Sequence, residues 1–78
     1  MTVSVRLYAG VRERAGRPKL DLEARTVGAL RAALAKACPA IAEQLPFCRF
    51  AVDDEFAADD ALVRPGAVVD VIPPVSGG

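Results

Sequence analysis

The sequence predicts an α+β fold, a mixed sheet with one main helix against one of its faces. Three observations carry that reading. The first and last segments alternate apolar and polar residues with a period of two, one stretch between them shows spacings of three and four, and 78 residues enclose a single modest core. In "TVSVRLYA", Val3, Val5, Leu7 and Ala9 fall on one side and Thr2, Ser4, Arg6 and Tyr8 on the other, the pattern of a strand with one buried face. "GVRERAGRP" is rich in turn formers and reads as a long loop carrying Arg12, Arg14 and Arg17. "KLDLEA" resumes the alternation through Leu20 and Leu22, so the first two strands form an antiparallel hairpin.

Thr26 is a good N-cap residue, and Val27, Leu30, Leu34 and then Ala37 or Cys38 follow at helical spacing until Pro39 ends the pattern. Gly28, near the start, costs this helix some stability. "AIAEQLP" adds a short helical turn that covers the core with Ile41 and Leu45. "CRFAV" then reads as a strand, "DDEF" as a turn into a very short strand, and "GAVVDVIP" as the last strand. A hairpin, one helix, and a last strand inserted beside the first make the β-grasp, or ubiquitin-like, arrangement. A ferredoxin-like fold requires a second full helix, and "FAADDALVRPGA", interrupted by Pro65-Gly66, has no helical stripe. Residues 1–72 are therefore the expected β-grasp domain and 73–78 a flexible C-terminal tail.

Composition narrows the function. A hydrophobic fraction of 53% and a charged fraction of 26% are those of a folded soluble chain, and no apolar run nears the ~20 residues of a membrane span. The N-terminus lacks the pattern of a secretion signal, so a cytoplasmic location is expected, where Cys38 and Cys48 stay as buried free thiols. There is no histidine, the commonest general base and metal ligand, and no phosphate-cradling glycine motif. The pairs Asp53-Asp54 and Asp59-Asp60 read as solvated turn residues rather than as a cation site. Residues 1–39 hold eight basic against three acidic side chains, net +5, and residues 40–78 two against seven, net −5. Such a dipole suits orientation of a protein partner more than attraction to nucleic acid, and neither nucleic acid nor a membrane is expected as a partner. Two solvated faces without a role are the plainer alternative.

The chain ends "VIPPVSGG". Pro73 and Pro74 favour an extended exit from the sheet, and Gly77 and Gly78 remove every side chain near the last carboxylate. Extended, residues 73–78 reach about 20 Å at ~3.3 Å per residue, enough to enter another protein's active site while the folded body docks outside. A frayed terminus is the alternative for small residues at a chain end. Tyr8 and Ile72 add a second signal. Each is apolar on the polar side of its strand, and in a β-grasp sheet those strands are neighbours, so Tyr8, Ile72 and Val68 form one exposed apolar patch.

"LYAGVRERAG", "TVGALRAALA", "FAVDDE" and the ending "PPVSGG" together resemble the MoaD branch of the MoaD and ThiS ubiquitin-like sulfur carriers, the branch of molybdopterin synthase small subunits. The similarity spans essentially the whole chain, and Pro-Pro-Val before the two glycines is characteristic of that branch. "VDDE" departs from it where an Asn is common at the turn. The resemblance implies that Gly78 is adenylated by an E1-like enzyme with ATP and magnesium, that a sulfur donor such as a cysteine desulfurase or rhodanese converts it to a thiocarboxylate, and that the large synthase subunit receives the sulfur for precursor Z. It implies no permanently bound cofactor. It makes Gly78 and Gly77 the reactive end, the chain a sulfur-donating subunit rather than a catalyst by itself, and Tyr8, Arg12, Val68, Ile72, Pro73, Pro74 and Val75 the partner-binding residues. Carriers for thiamin, cysteine or tRNA thiolation, a ubiquitin-like protein modifier, and an interaction module with no tail chemistry remain open.

Overall fold

The computed structural model describes residues 2–74. β1 (Val3–Leu7) sends Val3, Val5 and Leu7 into the core with at most 2% exposure, as its alternation dictates. It pairs antiparallel with β2 (Lys19–Leu22), Val5 opposite Leu20, and parallel with β5 (Val68–Ile72), Val5 opposite Val69. β3 (Arg49–Val52) lies antiparallel to the other edge of β5 and carries the three-residue β4 (Glu55–Ala57). The order β2-β1-β5-β3-β4 is a β-grasp sheet with the last strand at its centre, the expected fold class.

Between β1 and β2 the structure corrects the sequence reading. The segment expected to be a loop is a helix, α1 (Ala9–Ala15), and β1 stops at Leu7 rather than running through Ala9. The cause is an apolar anchor, Val11 with the half-buried Ala15 one turn on. Val11 is fully buried, which holds the two turns against the core although the arginines around it are exposed. Gly16, at φ 74, closes the helix in the left-handed conformation, its N–H donating to the Arg12 carbonyl. Among the described residues two α-helices therefore stand where one was expected.

The main helix is α2 (Val27–Ala37), and it buries Val27, Leu30 and Leu34 on one stripe. Thr26 caps it, Oγ1 accepting from the Ala29 N–H at 3.1 Å. Cys38 rather than Ala37 completes the buried stripe. The loop after β4 caps it a second time: the N–H groups of Val27 and Gly28 donate to the carbonyls of Ala61 and Asp59, at 3.1 and 2.8 Å. Here Gly28 finds its reason, since a Cβ at that position would lie 3.2 Å from the Asp59 carbonyl oxygen. Two 3-10 turns, Pro39–Ile41 and Leu45–Phe47, bring Ile41 and Leu45 into the core as expected. Cys38 and Cys48 are buried free thiols. Among the described residues no helix is long and apolar enough to cross a membrane.

Candidate functional site

Helix α2 and the core cover one face of the sheet, and among the described residues no helix covers the other. The strand registers place Ser4 and Arg6 of β1, Val68, Asp70 and Ile72 of β5, Arg49 and Ala51 of β3 and Phe56 of β4 on it together. Tyr8, one residue past β1, joins them through its side chain. Its hydroxyl donates to Asp70 Oδ1 at 3.0 Å, while Arg6 donates to the same carboxylate from Nε at 2.6 Å and from Nη2 at 3.0 Å. A carboxylate, a bidentate guanidinium and a phenol thus form one network across the two central strands.

The ionisation of these groups follows from that geometry. The Arg6 hydrogen bonds hold the Asp70 carboxyl below the ordinary carboxylate range; burial works against this and the Tyr8 bond assists it. Tyr8 holds its proton more tightly than an ordinary tyrosine, first through desolvation and then through the bond to Asp70. Arg6 is raised further above its ordinary value by the Asp70 hydrogen bonds. Through the neutral range Arg6 and Asp70 are therefore charged and Tyr8 keeps its proton.

The residues named from the sequence are placed as follows. Tyr8 is 39% exposed, and Val68 and Ile72 are half-buried on the same open face. Arg12 is exposed one turn into α1, its N–H donating to the Tyr8 carbonyl at 3.2 Å. Pro73 and Pro74 leave the sheet directly after β5, half-buried and exposed respectively. Val75, Gly77 and Gly78 lie outside the described residues. Leu7 pairs with Val71, so Tyr8, α1 and the start of the tail gather at one end of the sheet.

Sequence reasoning missed Arg6 and Asp70 of the network, and Arg49, Phe56 and Phe47 beside it. Arg49 pairs with Ile72 in register and its guanidinium lies 3.8 Å from the ring centre of Phe56, which is 56% exposed. Phe47, two residues before Arg49, is 70% exposed. Only register brings β3 and β4 to the tail root, and a single sequence does not print register. Asp70 did leave a signal, as a lone acid inside the apolar run "AVVDVI".

These features define a class: a ubiquitin-like β-grasp protein with an open, partly apolar sheet face at the root of a C-terminal segment. Comparison with known proteins narrows it. No curated protein matched the chain. Among solved structures, SAMP1 from Haloferax volcanii superposes with a TM-score of 0.90 at 26% identity, covering 100% of both chains. A chain of the complex of subunits 1 and 2 of molybdopterin-converting factor from Helicobacter pylori 26695 gives a TM-score of 0.73 at 25% identity, again over 100% of both. A chain of the Amycolatopsis orientalis BexX/CysO complex shares the fold, with a TM-score of 0.82 at 22% identity over 97% of this chain and 99% of that one. Residues 5–78 match the ThiS family, and the chain belongs to it. It is a ubiquitin-like sulfur carrier of the ThiS/MoaD type.

Proposed function

We propose that this carrier is the small subunit of a molybdopterin synthase, and that the Gly78 carboxyl is its working group. The observation that carries the reading is the coincidence at one end of the molecule of the open, partly apolar face and the point where Pro73 and Pro74, the start of "PPVSGG", leave β5. The family match extends to residue 78, and the molybdopterin-converting factor likeness supports this branch.

The chemistry belongs to an electrophile made and then replaced. The Gly78 carboxylate attacks the α-phosphorus of ATP on an E1-like partner with magnesium, and pyrophosphate leaves. The terminal sulfur of a persulfide donor, such as a cysteine desulfurase or rhodanese, attacks the acyl carbon and AMP leaves. A second thiol cleaves the resulting acyl disulfide, itself becoming a disulfide, and the thiocarboxylate remains. That thiocarboxylate is the nucleophile delivered into the large subunit for precursor Z. This chain's own part is to present the carbonyl carbon without side chains around it, which Gly77 and Gly78 permit, and to dock through Tyr8, Val68, Ile72 and Arg12. Pro73, Pro74 and Val75 then lead the tail into the partner. We place the cycle in the cytoplasm, where Cys38 and Cys48 stay reduced.

The test is the intact mass of the protein purified from its own cell without reductant. A species heavier by the exchange of one oxygen for sulfur, localised to the C-terminal peptide and able to convert precursor Z with the large subunit, is the expected result. Thiocarboxylate without that conversion sends the sulfur to another acceptor. The likeness to SAMP1 favours one second reading, a protein modifier whose activated Gly78 acylates lysine amines. Higher-mass conjugates that vanish when Gly78 is deleted would select it.

A further inference from the structure

We propose that Asp70 is a positioning residue of the docking face, holding the Tyr8 ring and the Arg6 guanidinium in one fixed arrangement at the root of the tail. The inference rests on the reading of this face as the surface that meets the large subunit. Asp70 is the one buried charged side chain among the described residues, at 8% exposure. It is not a core residue: Val69 and Val71 turn inward from the same strand, and Asp70 turns to the open face.

Burial of a carboxylate costs free energy unless its oxygens are hydrogen-bonded, and here three bonds from two side chains satisfy it. Apolar replacements of buried ion pairs are often no less stable, so stability alone does not account for an acid at this position. What the network supplies is direction. A tyrosine ring on a sheet surface turns about two torsions; donation to Asp70 Oδ1 pins the hydroxyl and so fixes the first, the direction in which the ring axis points. Arg6 gives Asp70 its Nε hydrogen and one from Nη2; its remaining donors lie on a side chain 47% exposed and held in plane. The backbone reinforces the placement. Ala9, directly after Tyr8, sits at φ 50, a strained conformation for a residue with a Cβ, and this turn carries the chain into α1 while leaving Tyr8 over the open face. A surface ordered before binding loses less entropy on association. The partner it fits offers an apolar recess for the Tyr8 ring beside a carbonyl or carboxylate that accepts from Arg6.

The test is the Kd of the full chain for the large molybdopterin synthase subunit of the same organism, for Tyr8→Ala, Tyr8→Phe, Asp70→Asn and the Tyr8→Phe/Asp70→Asn double variant. Thr26→Ala serves as a control that lowers stability away from the face. Tyr8→Ala is expected to weaken binding roughly tenfold or more, as loss of an aromatic anchor does. Tyr8→Phe, which keeps the ring but not the hydroxyl, and Asp70→Asn are each expected to weaken it about fivefold, with the double variant no weaker than either single one. Thr26→Ala should keep the wild-type Kd. Loss with Tyr8→Ala but wild-type binding by Tyr8→Phe and Asp70→Asn overturns the positioning role and leaves the docking face standing. Wild-type binding by Tyr8→Ala overturns the docking face and the positioning role with it. A Thr26→Ala loss equal to that of Asp70→Asn reduces Asp70 to a stability residue.

Discussion

Tyr8 is the only tyrosine in a chain without tryptophan, so its ionisation is directly observable. Phenolate absorbance should rise with a midpoint above the ordinary 10.0. Asp70→Asn should move that midpoint part of the way back, because the charged acceptor goes while the desolvation stays; a midpoint indifferent to Asp70 counts against the hydrogen bond. The same pair sets two limits on stability. The Asp70 pKa lies below the ordinary 3.8, so its contribution is fully present above that value and is lost as pH falls through the lower, folded-state one. The Tyr8 pKa is raised, so its contribution is complete below 10.0 and is lost as pH rises through the folded-state value. Denaturant midpoints of the wild type should therefore decline as pH falls below the ordinary 3.8, and those of Asp70→Asn should decline less.

At the scale of elements, Gly28 shows a local rule losing to a tertiary contact. Helix propensity alone predicts that Gly28→Ala stabilises α2 by up to about 1 kcal/mol. The new Cβ, however, meets a carbonyl that cannot easily retreat, since Asp59 accepts from the Gly28 N–H and from Arg31 Nη2 at 2.8 Å. Arg31 itself is tied down, donating to the carbonyls of Leu45 and Cys48 and lying 4.5 Å from the Phe50 ring centre. Chemical denaturation of Gly28→Ala should thus show a net loss of about 1 kcal/mol, and a gain would mean that the loop yields. Thr26→Ala removes the Oγ1 cap and should cost about 1 kcal/mol. The strands, α2 and its cap were legible because period and capping chemistry act over a few residues. Helix α1 was not. Its core contacts are Val11 and the half-buried Ala15, a stripe of two residues too short to show among the arginines around it.

Over the whole molecule, the site is legible only as far as topology is. Period two put Tyr8 and Ile72 on the polar sides of their strands, and the β-grasp order made those strands neighbours, so that half of the patch could be read in advance. Arg49 and Phe56 enter through β3 and β4, whose register depends on the two-residue turn at Asp53 and Asp54, at φ 47 and 71, and Phe47 enters through the 3-10 turn that leads into β3. The same view separates what folds this chain from what it delivers. Every core side chain among the described residues lies between Val3 and Val71, and the reactive end is proposed at residue 78. Deletion of Gly77 and Gly78 should then leave the denaturation midpoint unchanged, within about 0.5 kcal/mol, and leave docking through Tyr8 and Ile72 in place. It should abolish thiocarboxylate formation with the activating enzyme, ATP and sulfur donor. Sulfur transfer by the truncated chain would overturn the tail chemistry, whereas a large loss of stability would show that the last two residues belong to the fold rather than to the partner.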